Sequence, residues 1–353
     1  MKKSTKVLIA VFIVAAVALY ISIYGVPGVK SMFEKTEVLE YGDLPVLDEV
    51  EVCIVRDETL YRSSSAGTIE YLIDEGAKVR GGVNLLRVTG GAPPEVAETA
   101  TPSSVGEEDE AAALARVSAT AGEGAAVTPD NVSPFTAMVS YFADGYEKIF
   151  APAAIETMTK ASVSAVPADC VSLRRIYAGQ GEPIYKLTDN NLWYMVYWID
   201  AASFKEDDPK ASAADRDGYA VGKSVRVNLG STEISAVIQS YTPEGSDMKV
   251  VLRSDMYYRD MQKYRKVIAE VVFAEHRGLI VDEANVIVRD GAPGVFVKQI
   301  NGEFKWTRVQ YVKDSNGRHT VSVGTFSDEE GKLVRTVKYY DEILVDPAAQ
   351  GYS

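Results

Sequence analysis

The chain has 353 residues, a formal net charge of −13 and a pI near 4.8. This length is sufficient for two or three domains. The acidic balance excludes a nucleic-acid-binding protein, because phosphate binding requires a basic surface.

An uncharged apolar run, VLIAVFIVAAVALYISIY, occupies residues 7–24. About eighteen residues are enough to cross a bilayer core of about 30 Å. Three lysines lie in residues 1–6 and few basic residues follow the run, so the positive-inside rule makes 1–6 a cytoplasmic tail and places the remainder outside. A cleaved signal peptide with a site at Ala16–Ala18 is the alternative, but that site falls inside the run. The sequence therefore predicts an uncleaved transmembrane helix.

Residues 25–57 form a juxtamembrane connector that leads to a first strand, Glu49–Val55. Residues 58–88 then alternate β-forming residues with turns at Gly67 and at Asp74–Gly76. Two or three short strands of this kind amount to half of a small β-sandwich. An isolated hairpin is only marginally stable in water, so a matching half is expected elsewhere in the chain.

The matching half is expected in residues 132–187, after an interruption. Ser133–Tyr146 repeats the strand and Asp-Gly turn, and Cys170–Leu187 repeats the strand, glycine turn and closing strand. The intervening residues 89–131 contain no aromatic residue and are rich in Ala, Glu, Gly, Pro, Ser and Thr. Such a segment cannot bury enough apolar surface to offset its ordering entropy, and only one short helix is expected there, after the acidic run 107–110.

Three sequence stretches, AGTIEYLIDEGAKVRGG, DGYE and GQGEPIYKLTDNNLWY, together resemble the split biotinyl/lipoyl-like domain of hemolysin-D-type membrane fusion proteins, the adaptor subunits of export pumps. The resemblance continues through GLI, GVFVK and YDEIL and covers residues 45–345. In most relatives a long α-helical hairpin, whose tip docks an outer-membrane channel, replaces residues 89–131. Here the segment lacks heptads and is too short, which indicates an envelope without such a channel, as in a single-membrane bacterium.

The remainder of the chain is predicted to be β throughout. Regularly spaced strands in residues 188–275 predict a small antiparallel β-barrel, whose closure removes exposed sheet edges. Residues 276–346 carry further strands; the resemblance makes them a membrane-proximal β domain that also includes strands from before the sandwich. The expected barrel strands are Leu192–Asp200, Ser224–Leu229, Glu233–Thr242, Met248–Ser254 and Lys266–Phe273.

Cysteine, histidine and glycine motifs give little evidence of a chemical site. Cys53 and Cys170 either form a disulfide or are two buried apolar side chains. His276 and His319 are far apart in sequence, with neither a nearby cysteine nor HxxE spacing, so a zinc site is not expected. The motif Gly179–Gly181 lacks the third glycine of a dinucleotide loop and enters a strand, which indicates a turn.

Other polar residues favour structural roles. The acidic pairs Asp74/Glu75 and Asp341/Glu342 alternate faces on a strand and are expected to be solvated. Ser63–Ser65 have no histidine near by, and Lys78 is not at an exposed hairpin tip, so neither a hydrolase triad nor a swinging lipoyl or biotin arm is predicted. An apolar flank between barrel strands is expected at Met256, Tyr257, Tyr258, Met261 and Tyr264.

The sequence therefore predicts a mainly β, non-enzymatic protein with no catalytic residue, cofactor or metal. From the resemblance we expect a single-pass adaptor in the plasma membrane. It would be mostly extracytoplasmic and would assemble as a homo-oligomeric ring around a transporter permease. The alternative is a cell-envelope structural or division-associated scaffold that uses the same modules without transport. The short insertion favours this alternative somewhat, because the hairpin is the part of a pump adaptor that reaches outward.

Overall fold

The computed structural model describes residues 11–20, 34–91, 114–119, 126–208, 210, 217–258, 261–328 and 330–352. The described residues are mainly β. Residues 11–20 are helical. No helix within the described ranges has both the length and the apolar character needed to cross a membrane. Both ends of the predicted span 7–24 lie outside the described residues, as do the predicted tail and most of the insertion.

Most strands are short, and three are long. In chain order they are β1 (Thr36–Val38), β2 (Tyr41–Arg62), β3 (Gly67–Tyr71), β4 (Lys78–Val79), β5 (Leu86–Thr89), β6 (Ala137–Ser140), β7 (Phe142–Ala143), β8 (Val171–Ser172), β9 (Tyr177–Ala178), β10 (Pro183–Asp200), β11 (Ser224–Leu229), β12 (Thr232–Glu244), β13 (Asp247–Ser254), β14 (Lys266–Asp282), β15 (Ile287–Arg289), β16 (Ala292–Lys298), β17 (Phe304–Arg308), β18 (Tyr311–Ser315), β19 (Arg318–Val321), β20 (Thr325–Ser327), β21 (Leu333–Arg335) and β22 (Glu342–Leu344).

Short helical segments separate some of these strands. They are residues 114–119, the 3-10 turns Pro129–Asn131, Pro152–Thr157, Met261–Lys263 and Glu283–Asn285, and the α-helix Lys160–Ser164. The chain divides into two compact units, Leu47–Phe273 and Met1–Val46 with Ala274–Ser353. Each unit is described by itself below.

The larger unit contains a ring of strands. Antiparallel pairing joins β14, β11, β12, β13 and β10 in that order, and β2 pairs with both β10 and β14. Six strands therefore close on themselves, which leaves no free edge in the ring. Alternate residues of these strands fill the interior, as in β11, where Val225, Val227 and Leu229 are buried.

A two-part sandwich forms the rest of the larger unit. Strands β5, β3 and β9 make one sheet, and β4 and β6 extend the long strand β10 on the other side. Strands from both halves of the split module thus pair directly, because β3 meets β9 and β4 meets β6. The core between them includes the stacked rings of Tyr61 and Tyr185, 4.9 Å apart. The remaining buried core residues are Ile69, Val79, Leu85, Leu86, Ala137, Val139, Tyr141, Ala178, Ile184 and Leu187.

The smaller unit combines an N-terminal strand with the C-terminal third of the chain. Strand β1 pairs with β22, which pairs with β16, and β16 also pairs with β15 and β17. Its core is almost wholly aliphatic, with Leu39 from the N-terminal segment buried among C-terminal residues. The other buried members are Leu279, Val281, Val295, Val297, Val309, Val321, Val337 and Ile343.

Four sequence predictions about local structure were wrong. The predicted strand Lys266–Phe273 is only the start of the 17-residue β14, which continues to Asp282. Glu49–Val55 is not the first strand, which is β1; it is part of the 22-residue β2, which runs through the predicted connector into the sandwich. Leu192–Asp200 is the second part of the 18-residue β10, whose first part belongs to the sandwich. Gly67 is not in a turn: it begins β3, at a point where a Cβ atom would overlap the backbone of Thr89.

The short helix predicted in the insertion is present at residues 114–119, but it is packed, contrary to the expectation from the composition of the segment. Residues 114–119 are helical, and Val117 is fully buried against Leu60, Ala143 and Leu173. Leu114 packs beside it, since residues three apart share one face of a helix. Two well-spaced apolar side chains are thus enough to dock this part of the segment.

Candidate functional site: a buried charge cluster in the larger unit

Six ionisable side chains are buried together in the larger unit. They are called the buried charge cluster below and consist of Arg56, Glu58, Asp144, Glu147, Lys186 and Arg265. Charged side chains are almost never fully buried unless they are paired. Five are held by ion pairs and the sixth, Glu147, by a backbone hydrogen bond, so the cluster is a built feature of the fold.

Each member is positioned by a strand or a tight turn. Arg56 and Glu58 are two residues apart on β2 and therefore share one face of that strand. In the antiparallel pairing of β2 with β10, Lys186 lies opposite Leu60. Arg265 immediately precedes β14 and its carbonyl accepts a 2.8 Å hydrogen bond from the backbone nitrogen of Ile54.

Glu58 is at the centre of the cluster. Its Oε1 atom is 2.9 Å from Arg56 Nη2 and 2.8 Å from Lys186 Nζ, and its Oε2 atom is 2.7 Å from Arg265 Nη2. Burial alone would raise the pKa of Glu58, but the three cations outweigh burial and hold this pKa far below its ordinary value. Glu58 is therefore ionised whenever the protein is folded at neutral pH.

Arg265 links Glu58 to a second carboxylate. Its Nε and Nη2 atoms donate to the two oxygens of Asp144 at 2.5 and 3.2 Å, which is a bidentate pairing. Its Nη1 atom donates to the carbonyl oxygen of Ile54 at 2.9 Å. Burial opposes ionisation of Asp144, but the charge of Arg265 dominates and lowers the pKa of Asp144. Arg265 thus uses all three of its nitrogens to connect β2, the turn after β7 and the start of β14.

Glu147 is the one carboxyl group of the cluster whose pKa is raised. Its Oε1 atom accepts a 3.1 Å hydrogen bond from the backbone nitrogen of Asp144. Burial raises the pKa of Glu147, and the neighbouring carboxylates Asp144 and Glu58 raise it further, while Lys186 and Arg265 oppose them. The cluster therefore contains three cations, two strongly ionised carboxylates and one carboxyl group that binds a proton more readily than usual.

Burial limits the chemistry available to this cluster. No member exposes more than 7% of its surface, so a solute has no direct access to the charges. Across the described part of the chain, no group of three or more His, Cys, Asp or Glu residues could hold a metal ion. What the arrangement does is structural: it joins strands of the sandwich to strands of the ring through charge-assisted hydrogen bonds.

A separate polar cleft opens at the surface of the sandwich. Its volume is about 360 Å³, and two consecutive residues in it, Asp130 and Asn131, have left-handed backbone conformations with φ of 54° and 53°. Ser64 and Ser65, two of the predicted serine triplet, lie in the cleft, and no histidine lines it among the described residues. Other lining residues are Asn84, Arg87 and Val132.

Both cysteines are free and buried in the structure. Cys53 packs against the ring strands, and Cys170 donates a backbone hydrogen bond to the carbonyl of Lys263. Burial raises the pKa of the Cys53 thiol to about 11 and that of Cys170 to about 12. Of the two alternatives from the sequence, the structure thus has the buried thiols and not the disulfide.

The histidines and the glycine motif have ordinary structural surroundings. The ring of His319 stacks on Tyr311 with centroids 4.0 Å apart, and His276 is a separate buried side chain. Gly181 has φ of 82° and its backbone nitrogen donates to the carbonyl of Ser63, as the predicted turn requires.

The solvated-face prediction for the acidic pair Asp74/Glu75 was wrong for Glu75. Its Oε2 atom accepts a 2.6 Å hydrogen bond from the backbone nitrogen of Tyr141, and burial raises its pKa. In the second pair, Glu342 forms an ion pair of 2.8 Å with Lys298. The predicted apolar flank is also divided: Met261 and Tyr258 are buried, whereas Met256 and Tyr257 are exposed.

One feature of the sequence of β2 indicates the buried charge cluster, although the cluster was not predicted from it. On β2, Arg56 directly follows the buried apolar run 52–55, and Glu58 and Leu60 lie on the same face as Arg56 and are also buried. Charged residues at the apolar positions of an alternating strand indicate buried, paired charges. No local sequence pattern identifies the other members of the cluster. Asp144 and Arg265, which pair with each other, are 121 residues apart in the sequence.

With this geometry established, residues 58–189 match the family model of the RND-related barrel-sandwich hybrid domain. They therefore form an RND-related barrel-sandwich hybrid domain, and the resemblance expected from the sequence is confirmed at the level of this domain. Strands β2 to β10 supply it, with the insertion between its halves. No curated protein matches the chain.

Solved structures that resemble the chain share little sequence with it. ZneB from Cupriavidus metallidurans is 11% identical over 89% of this chain and 92% of its own, with a TM-score of 0.28. MacA from Actinobacillus actinomycetemcomitans is 11% identical over 88% and 99%, with a TM-score of 0.34. The membrane fusion protein Spr0693 from Streptococcus pneumoniae R6 is 11% identical over 65% and 100%, with a TM-score of 0.27.

Proposed function

We propose that the chain is a membrane-anchored, extracytoplasmic adaptor of an export transporter, of the membrane fusion protein class, and that it acts by assembly with a permease and without catalysis. The observation that carries the proposal is the split barrel-sandwich hybrid domain in residues 58–189. The apolar run 7–24 supports the anchor, since its length suits one bilayer crossing.

The domain division proposed from the sequence assigns a role to each part. Residues 1–6 are the cytoplasmic tail, 7–24 the anchor and 25–57 the connector with the first strand. The sandwich, formed by 58–88 and 132–187 around the insertion 89–131, contacts neighbouring copies in a homo-oligomeric ring. The barrel of 188–275 and the membrane-proximal domain of 276–346 contact the permease. The grouping of residues 1–46 with 274–353 in one unit supports the assignment of 276–346 to a domain next to the membrane anchor.

The buried charge cluster supports a mechanical role for the larger unit. An adaptor transmits position between a permease and neighbouring copies, which requires a sandwich that does not rotate against the ring strands. Arg265 provides such a constraint, because its guanidinium is fixed to Asp144, Glu58 and the carbonyl of Ile54 at once. Directional, fully buried hydrogen bonds hold one orientation better than apolar contacts do.

Purification of the tagged full-length chain from membranes in mild detergent tests the proposal. We expect a plasma-membrane permease, alone or with an ATPase, to be recovered in near-stoichiometric amount and more than one copy of the chain per complex. A tagged version of the first 33 residues alone is the matched control for anchor-driven background. Recovery of the chain without any permease, or in the aqueous fraction, would contradict the proposal.

A cell-envelope scaffold is the second candidate, and the described end of the insertion favours it. Val117 is buried on the sandwich, so this end of the segment folds back on its own domain. In this alternative the same purification recovers wall-synthesis or division proteins and no permease.

A further inference from the structure

Three exposed tyrosines lie on the smaller unit: the rings of Tyr41 and Tyr339 are neighbours, and Tyr340 follows Tyr339 in the chain. Tyr41, Tyr339 and Tyr340 expose 55%, 50% and 81% of their surfaces, and the rings of Tyr41 and Tyr339 are 5.9 Å apart. Val38 at the end of β1 is 49% exposed in the same part of the sequence. The three tyrosines are called the tyrosine patch below. Exposed single apolar residues are common, but neighbouring exposed aromatic rings indicate a binding surface.

The backbone of one of these tyrosines has an unfavourable conformation. Tyr340 has φ of 66°, a region that bulky side chains rarely adopt and that glycine or asparagine occupies more easily. Its nitrogen donates to the carbonyl of Leu39 at 3.1 Å, and the Leu39 nitrogen donates to the carbonyl of Asp341 at 2.9 Å. Leu39 is itself buried in the core, so the backbone of Tyr340 is tied to a buried residue while its side chain is exposed. A strained residue held outward points to a function at the surface.

The chain that precedes the patch limits what can cover it. The apolar run ends at Tyr24, and the described part of the smaller unit that follows begins at Glu34. The Glu34 carboxylate accepts a 2.8 Å hydrogen bond from Tyr352. The intervening nine residues reach at most about 30 Å when fully extended. If residues 7–24 cross the bilayer, the smaller unit is confined to the neighbourhood of the membrane surface.

Tyrosine has the chemistry of the bilayer interface. Its ring is apolar and its hydroxyl group is polar, so it is enriched at the level of the lipid headgroups. The charges near the patch are mixed and include Glu40, Asp43 in an ion pair with Arg277, Lys338 and Asp341. A surface of this kind does not depend on anionic lipid for attraction.

From these observations we propose that the tyrosine patch inserts into the headgroup region of the membrane and fixes the smaller unit against the bilayer surface. This inference rests on the proposed anchor, because the anchor brings the patch within reach. The occupant is phospholipid, and its recognition is by aromatic burial at the interface and not by net charge.

The test places a fluorescent label on the patch in the full-length chain, reconstituted in phosphatidylcholine nanodiscs. Tyr340→Cys receives the label, while the buried thiols Cys53 and Cys170 provide an unreactive background. Ile300→Cys is the matched control, since Ile300 is fully exposed on the same unit between β16 and β17. Lipids with a spin label near the headgroup should quench the label at 340 at least twofold more than the label at 300.

Three further outcomes separate the possible failures. The quenching should be the same in nanodiscs that contain anionic phosphatidylglycerol, and a strong dependence on anionic lipid would overturn the stated mode of recognition. Equal quenching at 340 and 300 in a chain that stays in the nanodisc overturns the patch inference alone. A chain that leaves the nanodisc overturns the anchor and hence the proposed function. Tyr339→Cys repeats the measurement in case Tyr340→Cys does not fold.

Discussion

At the scale of single residues, the carboxylate of Glu58 provides the shared counter-charge for three buried cations. Its two oxygens contact Arg56, Lys186 and Arg265, all of which are fully buried. Replacement by glutamine keeps the shape and removes the charge, so the cations remain buried with only Asp144 and Glu147 as possible counter-charges. We expect Glu58→Gln to lower the free energy of unfolding by about 3–5 kcal/mol, as measured by urea denaturation.

Glu70→Gln is the matched control for this prediction. Glu70 forms an ion pair with Arg87 at 3.1 Å, but both side chains are more than half exposed, so the change is expected to stay below about 1 kcal/mol. The double variant Glu58→Gln with Lys186→Met should be less damaging than the sum of its single changes, because one uncompensated cation is removed. Equal effects of Glu58→Gln and Glu70→Gln would show that the buried charge cluster is not coupled.

Gly67 offers a second residue-scale test. A Cβ atom added to it would overlap the backbone oxygen of Thr89, which belongs to the paired strand β5 and cannot rotate away. We expect Gly67→Ala to lower the free energy of unfolding by about 1–3 kcal/mol in denaturant titrations. Gly90 has no atom within 4 Å of its added Cβ and no positive φ, so Gly90→Ala should be neutral or slightly stabilising. An equal loss in the two variants would contradict the close approach.

At the scale of elements, the short helix of the insertion, residues 114–119, packs through Leu114 and Val117, and Val117 is the buried member of this pair. Val117 is fully buried with Leu60, Ala143 and Leu173, whereas Val127 at the same end of the insertion is 55% exposed. Val117→Asn should free residues 114–119 from the sandwich. Trypsin cleavage after Arg116 should then accelerate by about tenfold or more, because each tenfold reflects about 1.4 kcal/mol of local opening. Val127→Asn is the control and should leave the cleavage rate unchanged.

The elements that the sequence predicted well are those whose pattern is local. Ser224–Leu229 has the predicted bounds, and the predicted strands around it differ by one or two residues at most ends, because alternation and turn glycines mark them directly. The lengths of β2 and β10 were missed, since each crosses from sandwich to ring without a break; in β10 the strand continues through the turn-type residues Asp189, Asn190 and Asn191, where its pairing with β2 shifts register. The composition of the insertion also led to a wrong expectation about its packing, because the two apolar side chains Leu114 and Val117 are enough to dock residues 114–119.

The buried charge cluster could be predicted only in part. The positions of Arg56 and Glu58 on β2 indicate buried charges. The identity of their partners depends on pairings between strands that are distant in sequence. The prediction of a turn at Gly67 was wrong for a related reason. A glycine that allows close approach of a neighbouring backbone has the same local sequence pattern as a glycine in a turn.

At the scale of the whole molecule, the buried carboxyl groups make stability depend on pH in two opposite ways. The pKa values of Glu58 and Asp144 are lowered by Arg56, Lys186 and Arg265, so their contribution is present above the unfolded-state pKa near 4 and is lost in acid. The pKa of Glu147 is raised by burial. Its contribution is full below the ordinary glutamate pKa and is lost as the pH rises through the raised value, because the folded state then holds more protons than the unfolded state.

These two effects predict a stability maximum on the weakly acidic side of neutrality and a decline toward higher pH. Glu147→Gln replaces the carboxyl group, whose pKa is raised, by a neutral amide that can still accept the hydrogen bond from the Asp144 nitrogen. The variant should therefore lose the decline above about pH 5 that Glu147 causes, while the loss in acid due to Glu58 and Asp144 remains. Urea titrations of both proteins at intervals between about pH 4 and pH 9 measure the slopes. Parallel profiles would mean that Glu147 is ionised in the folded chain, where Lys186 and Arg265 would offset the repulsion from Asp144 and Glu58 and the Asp144 backbone nitrogen would donate to a carboxylate.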